Sequence, residues 1–446
     1  MSELDDPALL DRASELVAAA RRAGATASDA AVSRSRSRSV EVRNGAVEGT
    51  DASESDGLSL RVFVGDRVAS VSADASADAA TLAERAVAMA KVSPPDRYAG
   101  LGPEERIARD WPDLDLVDET EPSTEELVAA ATEAEAAALA VKGIAQSGGA
   151  GAYASLGGMV LVTSHGFSGS YIRTGHGYSV SAIAGEGTGM ERDYDSCSRI
   201  HRADLVSPAE VGRRAGERTA KRLGGRKIDT RTASVIFEPR IARGFVGTIA
   251  SALNGGSVAR GTTFLRERMG ERVLPEGVDL VDDPLIPRRP GSRPFDAEGI
   301  RGERLALIED GVVRSWLLSS PIARELGLQT NGRATRSGSN TGASRTNLAV
   351  TPGSMSPEEL MREIGTGLYV TEMIGRGADL VTGDYSRGAS GYWIENGEPT
   401  FPVTEVTVGS TLQHMIANMM LANDIDESYA TLAPHIAVPD VTIAGL

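Results

Sequence analysis

Three turns constrain this chain more than any other feature. Asn44-Gly45, Gly65-Asp66 and Asn396-Gly397 each stand between two runs with strand-like alternation. Such pairs accept positive φ, which a two-residue turn between antiparallel strands requires, so each marks a hairpin. The segment Gly391 to Asp424, GYWIENGEPTFPVTEVTVGSTLQHMIANMMLAND, reads as strand, turn, strand and then a helix with an apolar stripe. Hairpins separated by helical runs, without a βαβ rhythm, predict an α+β chain.

At 446 residues the chain is too long for one simple core. Three units are expected. Residues 1–100 form an N-terminal α+β domain. It has a helix from Leu4 to Ala23, two hairpins over Ser33–Gly49 and Leu58–Ala73, and a second helix over Asp78–Val92, stopped by Pro94-Pro95. Asp96 to Pro122 is rich in Pro, Asp and Glu and reads as linker. Residues 120–226 form a middle α+β domain. Ser123 caps a helix running to Lys142, with Glu125 and Glu126 in its first turn. Gly148 to Gly151 then break the chain, strands follow to Ala184, and a last helix covers about Ser207 to Leu223. Residues 230–446 form a β-rich, barrel-like C-terminal domain, opening with a strand over Arg231–Phe237 and a helix from Glu238-Pro239 to about Leu253.

Aromatic residues make up only 4% of the chain, and Ala and Gly fill the difference, so elements are expected to pack closely through small side chains. The net charge of −16 argues against a nucleic-acid partner. Arg34, Arg36 and Arg38 alternate within a strand and read as its solvent face. Cys197 is the single cysteine, which makes a reducing cytoplasm the natural compartment. The N-terminus lacks the basic start and apolar core of a signal peptide, and no run reaches the roughly 20 apolar residues that span a bilayer.

Several strings, taken in order, resemble one known family. DYDSCSRI (Asp193–Ile200), GTTFLRERMGERV (Gly261–Val273), DDPLIPRRPGSRPFDAEG (Asp282–Gly299) and the hairpin at 391–408 are similar to the TldD/PmbA family, peptidase family U62, also called modulators of DNA gyrase. The last three resemble its PmbA (TldE) half in particular. The resemblance spans nearly the whole chain. It implies three domains, the last barrel-like, and a heterodimer of a zinc-bearing TldD subunit with a metal-free TldE subunit. That pair is associated with cleaving unfolded or extended peptides, maturing peptide antibiotics and degrading an antitoxin. Composition gives the gyrase link no support.

In the TldD type, a helix early in the last domain carries HExxxH, which can present two imidazoles and a general base to one cation. The corresponding helix here, EPRIARGFVGTIASALNGG (Glu238–Gly256), has no histidine. The family's late cysteine is also missing, and the last segment offers only His435. His165, His176, His201, His414 and His435 include no pair at i, i+3 or i, i+4 spacing. Cys197 with His201 is a pair, not a site, and reads as a partly buried thiol beside a surface imidazole. His414, among Met415, Met419 and Met420, reads as core packing. Asp282-Asp283 and Asp193 with Asp195 read as turn caps or surface charge. There is no G-x-S-x-G elbow and no phosphate-binding G-x-x-x-x-G-K-[ST].

The resemblance therefore implies a metal-free subunit with no catalytic residues and no cofactor of its own, zinc being expected in a TldD-like partner. Extended peptide is the implied substrate, held partly by backbone pairing at exposed strand edges. Candidate contacts lie in Gly- and Asn-rich loops: Asn331, Gly332, Arg333, Arg345, Asn347 and the stretch from Gly383 to Gly391. Two other readings remain open. One is an autonomous enzyme using Cys197, or a metal held by carboxylates with His165 or His176. The other is an interaction protein that forms a homodimer.

Overall fold

The computed structural model describes residues 7–74, 76–375 and 377–445. The N-terminal half is built on one antiparallel sheet of very long strands. Its elements are α1 (Pro7–Arg22), β1 (Ala27–Arg43), β2 (Ala46–Val64), β3 (Arg67–Asp74), α2 (Ala79–Val92), α3 (Thr124–Leu139), β4 (Ile144–Thr163), β5 (Ser168–Ala184), β6 (Glu191–Arg199) and α4 (Pro208–Lys221). The first residues of the helix expected from Leu4 lie outside the described part. Asn44 and Gly45 take φ of 52° and 74°, and Gly65 takes 62°, closing both N-terminal hairpins.

The spatial order is β3-β2-β1-β4-β5-β6. β1 pairs with β2 on one side and, from Asp29 to Val42, with β4 on the other. The two α+β units expected over 1–100 and 120–226 therefore share a single sheet. Gly148 to Gly151 do not interrupt it. β4 runs through them with register shifts near Ile144 and Ser147, and Gly149 at φ 104° absorbs one of them.

Helices cover one face of this sheet in two pairs. Ala30 and Val32 bury beneath α1 and α2, and Val40 buries beneath α3 and α4. Strand alternation puts Arg34, Arg36 and Arg38 on that same face, in the gap between the pairs, instead of on a separate solvent face. There they meet carboxylates: Arg34 binds Asp56 through two bonds of 2.8 and 2.9 Å, and Arg36 reaches Glu121 at 3.3 Å. The small-residue packing is explicit between α3 and α4. A Cβ on Gly212 would stand 2.0 Å from the Ala134 carbonyl oxygen, so the crossing requires glycine. Ser123 and Glu126 form the reciprocal cap of α3.

The stretch from Asp96 to Pro122 is a strap, not a free linker. Leu114 and Leu116 are buried, Ala108 N–H donates to the Gly299 carbonyl, and Leu116 O accepts from Thr174 N–H.

The C-terminal half contains β7 (Arg231–Phe237), α5 (Pro239–Ala252), β8 (Leu280–Asp282), β9 (Leu305–Glu309), β10 (Val312–Val313), β11 (Ala334–Ser337), β12 (Asn340–Ala343), β13 (Leu348–Val350), β14 (Gly367–Ile374), β15 (Asp384–Glu395), β16 (Glu398–Thr411), β17 (Met420–Leu421), β18 (Thr431–Leu432) and β19 (Ile436–Ala444). The order β16-β15-β14-β7-β19 closes through β16–β19 pairing into a five-stranded barrel. Closure removes exposed edges. Asn396 and Gly397, at φ 53° and 79°, form the expected turn between β15 and β16. A second sheet, β10-β9-β8-β13-β18, flanks the barrel. α5 fills the core between them with Phe245, Val246 and Ile249. The helix around His414 is short, Leu412–Ala417, and Met415 and Met419 are buried core. The whole is an α+β fold with a β-rich, barrel-bearing C-terminal part.

Candidate functional site

β7 ends at Phe237, and Glu238-Pro239 turns the chain into α5. Proline suits the first helical position because its fixed φ fits and its missing N–H has no intrahelical partner to lose. Ala242, Phe245, Val246 and Ile249 face the core. Arg243 and Gly247, one turn apart, share another face. Gly247 is covered by a guanidinium: Nη2 of Arg345 lies 3.2 Å from where a Cβ would stand. The Arg243 guanidinium carbon sits 3.6 Å from the Tyr429 ring centroid, and that of Arg199, at the end of β6, sits 5.7 Å from the same ring. Among the described residues, none of these three arginines has a carboxylate at ion-pair distance. Burial opposes the charge of nearby Asp426, but hydrogen bonds from Ser428, with Arg199 and Arg243 close by, hold its pKa below the ordinary value.

A charged cluster ties this helix to β6. Arg240 donates to Asp193 at 2.8 Å and to Glu238 at 2.9 Å. Arg222 lies 3.2 Å from Glu191 and 3.6 Å from Asp193, and also binds Glu372. Asp193 is therefore a buried junction rather than the surface charge expected from sequence. Behind it, His435 Nδ1 donates to Asp424 at 2.7 Å, which leaves Nε2 to accept from the Tyr369 hydroxyl at 2.8 Å. Burial raises the Tyr369 pKa, so this phenol stays protonated and serves as a hydrogen-bond donor.

The loop residues expected to touch peptide have other employment. Arg333 is fully buried: its Nε pairs with Asp282, and its other nitrogens donate to the carbonyls of Asn331, Glu303 and Asp282. Asp282, also fully buried, takes the Thr346 N–H and hydroxyl as well. It is thus no turn cap. Asn347 binds Gly291 N–H, the Asp283 carbonyl and the Ser292 hydroxyl at 2.8 to 2.9 Å. Asn331 spans the Leu318 N–H and the Trp316 carbonyl. These three side chains hold loops together. Gly391 allows β14 and β15 to touch, since a Cβ there would stand 1.8 Å from the Tyr369 carbonyl oxygen. Gly383 takes φ 86° under the Gln413 side chain. Of Asn331, Arg333, Arg345, Asn347, Gly383 and Gly391, Arg345 alone presents an exposed charge.

Residues 230–445 match the PmbA/TldA metallopeptidase C-terminal domain, 118–223 its central domain and 28–90 its domain 1. The chain is 38% identical to the metalloprotease PmbA of Escherichia coli O157:H7 over 94% of its own length and 92% of that protein's. It belongs to the PmbA/TldD family. The PmbA homologue of Haemophilus influenzae is 34% identical over 96% and 94% of the two lengths. Among solved structures, a Bacteroides thetaiotaomicron protein described as a modulator of DNA gyrase shares the fold at TM-score 0.90 and 23% identity, covering 98% of both chains. TldE of Thermococcus kodakarensis does so at 0.84 and 20%, covering 97% of this chain and 100% of its own.

In this PmbA/TldD chain, the residues around α5 do not suit a divalent cation. Guanidinium groups lie along its outer face, and among the described residues no three His, Cys, Asp or Glu side chains are grouped so as to hold a metal ion. Four of the histidines have hydrogen-bond partners within the chain, while both ring nitrogens of His176 are buried without one. His165 bridges the Thr163 hydroxyl and the Gly102 carbonyl, and His414 reaches the Pro439 carbonyl. His201 lies 3.0 Å from Asp115 and is mostly buried. Burial lowers the pKa of His176 despite Asp118 at 3.7 Å. Cys197 is 3% exposed, buried beneath α3 and α4, and out of reach as a nucleophile. Arg199, Arg243 and Tyr429 escaped the sequence reading because they come from three distant segments. The one local signal was the one-turn spacing of Arg243 and Gly247 on α5.

Proposed function

We propose that this chain is the metal-free subunit of a two-chain zinc peptidase acting on unfolded or extended peptides. A TldD-like partner contributes the zinc and the carboxylate base. This chain contributes an interface and one wall of the peptide-holding cavity. The observation that carries the reading is the arginine-covered face of α5. The helix that bears metal ligands in the TldD type bears here a cation-rich surface, and fixed positive charge beside a site opposes a second cation there.

The homologues named as metalloproteases support membership in a peptidase system, and the TldE structure supports this half of it. No described helix is long and apolar enough to cross a membrane. With one cysteine, buried and unpaired, the cytoplasm suits the chain. Without its mate the chain is expected to pair with a second copy through the same face.

The test is metal analysis and peptidase assay of the purified chain, alone and mixed with a TldD-like subunit. The isolated chain should hold no stoichiometric zinc and cleave nothing, and the mixture should cleave an unfolded peptide. One zinc per isolated chain, or cleavage by it alone, overturns the proposal.

A further inference from the structure

A cleft of about 510 Å³ lies where the exposed face of the long sheet meets the loop containing Pro290. Ser35, Ser37, Ser155 and Ser198 line it, the hydroxyls of Ser35, Ser155 and Ser198 bonded to Ser55, the Gly175 carbonyl and Tyr153, and Arg173 and Arg199 line it too. Arg173 is fixed by donating to the carbonyls of Pro290 and Ser292, and its Nε is buried without a partner. Arg199 leads out of the cleft to Tyr429, whose ring also carries Arg243. Arg243 shares its helix face with Gly247, on which Arg345 rests. Four guanidinium groups thus line one continuous path from the cleft to α5. Among the described residues none of them has a carboxylate at ion-pair distance, Asp426 standing near Arg199 and Arg243 but beyond it.

We propose that this path binds extended polypeptide rich in Asp and Glu. A guanidinium stacked on an aromatic face keeps its in-plane N–H fork free for a carboxylate. Serine hydroxyls beneath keep acceptor lone pairs for backbone N–H groups of a peptide of any sequence. The chain's net charge of −16 opposes any polyanion at long range, so binding rests on short-range contacts in which single carboxylates each meet one arginine. The inference deepens the function proposed above by giving the substrate a charge class. It is tested on the isolated chain, so it can fail or hold whether or not a zinc-bearing partner assembles.

The experiment is fluorescence anisotropy on the full chain with three labelled ligands of equal length. They are an unstructured peptide with alternating Asp and Glu, its Asn/Gln counterpart, and single-stranded oligothymidylate. The acidic peptide should bind, weakening as salt is added. Its neutral counterpart should bind about tenfold more weakly or worse. Arg243→Gln with Arg345→Gln should lower affinity for the acidic peptide by about tenfold while the circular dichroism melt stays in place. Should that pair of changes unfold the chain, Arg199→Gln at the cleft mouth is read in its stead. Equal binding of the two peptides, equal or tighter binding of oligothymidylate, or a folded variant with undiminished affinity overturns the proposal.

Discussion

Asp282 and Arg333 show how one residue's chemistry depends on what surrounds it. In sequence they look like a loop acid and a loop base. In the fold both are fully buried, and every polar atom of the pair that the structure describes has work inside the loop cluster. A buried charge is tolerable only when paired and hydrogen-bonded. Glu298 is the opposite case. Its Oε2 accepts from Ser320 N–H, but Oε1 is buried without a partner. Burial first, and repulsion from Asp296 second, push its pKa up from 4.5 to about 7. The folded state therefore holds this proton where the unfolded chain has released it. The associated stability is present below pH 4.5 and is lost as pH rises through about 7. Glu298→Gln keeps the acceptor for Ser320 and removes the titration. Chemical denaturation across this pH window should show the native chain losing stability relative to the variant as pH rises. Parallel curves would mean that Glu298 ionises in place without cost.

At the scale of elements, glycines set where strands and helices meet. Gly391 lies in β15 opposite Val370, beside a register shift, with the Tyr369 carbonyl where a side chain would stand. Gly391→Ala must push β14 and β15 apart in a closed barrel that has little freedom to respond. A loss of about 1–3 kcal/mol is expected, read from urea unfolding. A loss below about 0.5 kcal/mol, the scatter of ordinary surface changes, would show that the approach is not close. The hairpins, the cap of α3 and the proline start of α5 were all legible in sequence. Each rests on residues within a few positions of one another, where turn and capping chemistry act. The arginine face of α5 was half legible: the helix and its lack of histidine were plain, but nothing local announces that Arg345 folds back onto Gly247.

For the whole molecule, the decisive contacts join the long sheet to the barrel-bearing half. Asp193 on β6 faces both Arg222 and Arg240, while Arg336 on β11 reaches Asp29 of β1, itself paired with Arg61. Asp193→Asn leaves two guanidinium groups short of a shared carboxylate at this junction. Differential scanning calorimetry of the variant is expected to resolve two transitions where the native chain gives one, because removing one partner of a buried charged cluster is costly. A single transition at the native temperature would show that the two halves are held by other means.

From sequence alone came the α+β class, the hairpins and helices, a barrel-like C-terminal part, the missing metal motif on the Glu238–Gly256 helix, and the family. These depend on local spacing and short ordered strings, which survive without coordinates. Tertiary structure alone decided that the first two units share one sheet, that the linker is a strap, that Arg333 and Asn347 are internal ties, and that Arg173, Arg199, Arg243 and Arg345 line one path. Those outcomes depend on strand partners and burial between segments far apart in the chain, which no local pattern encodes.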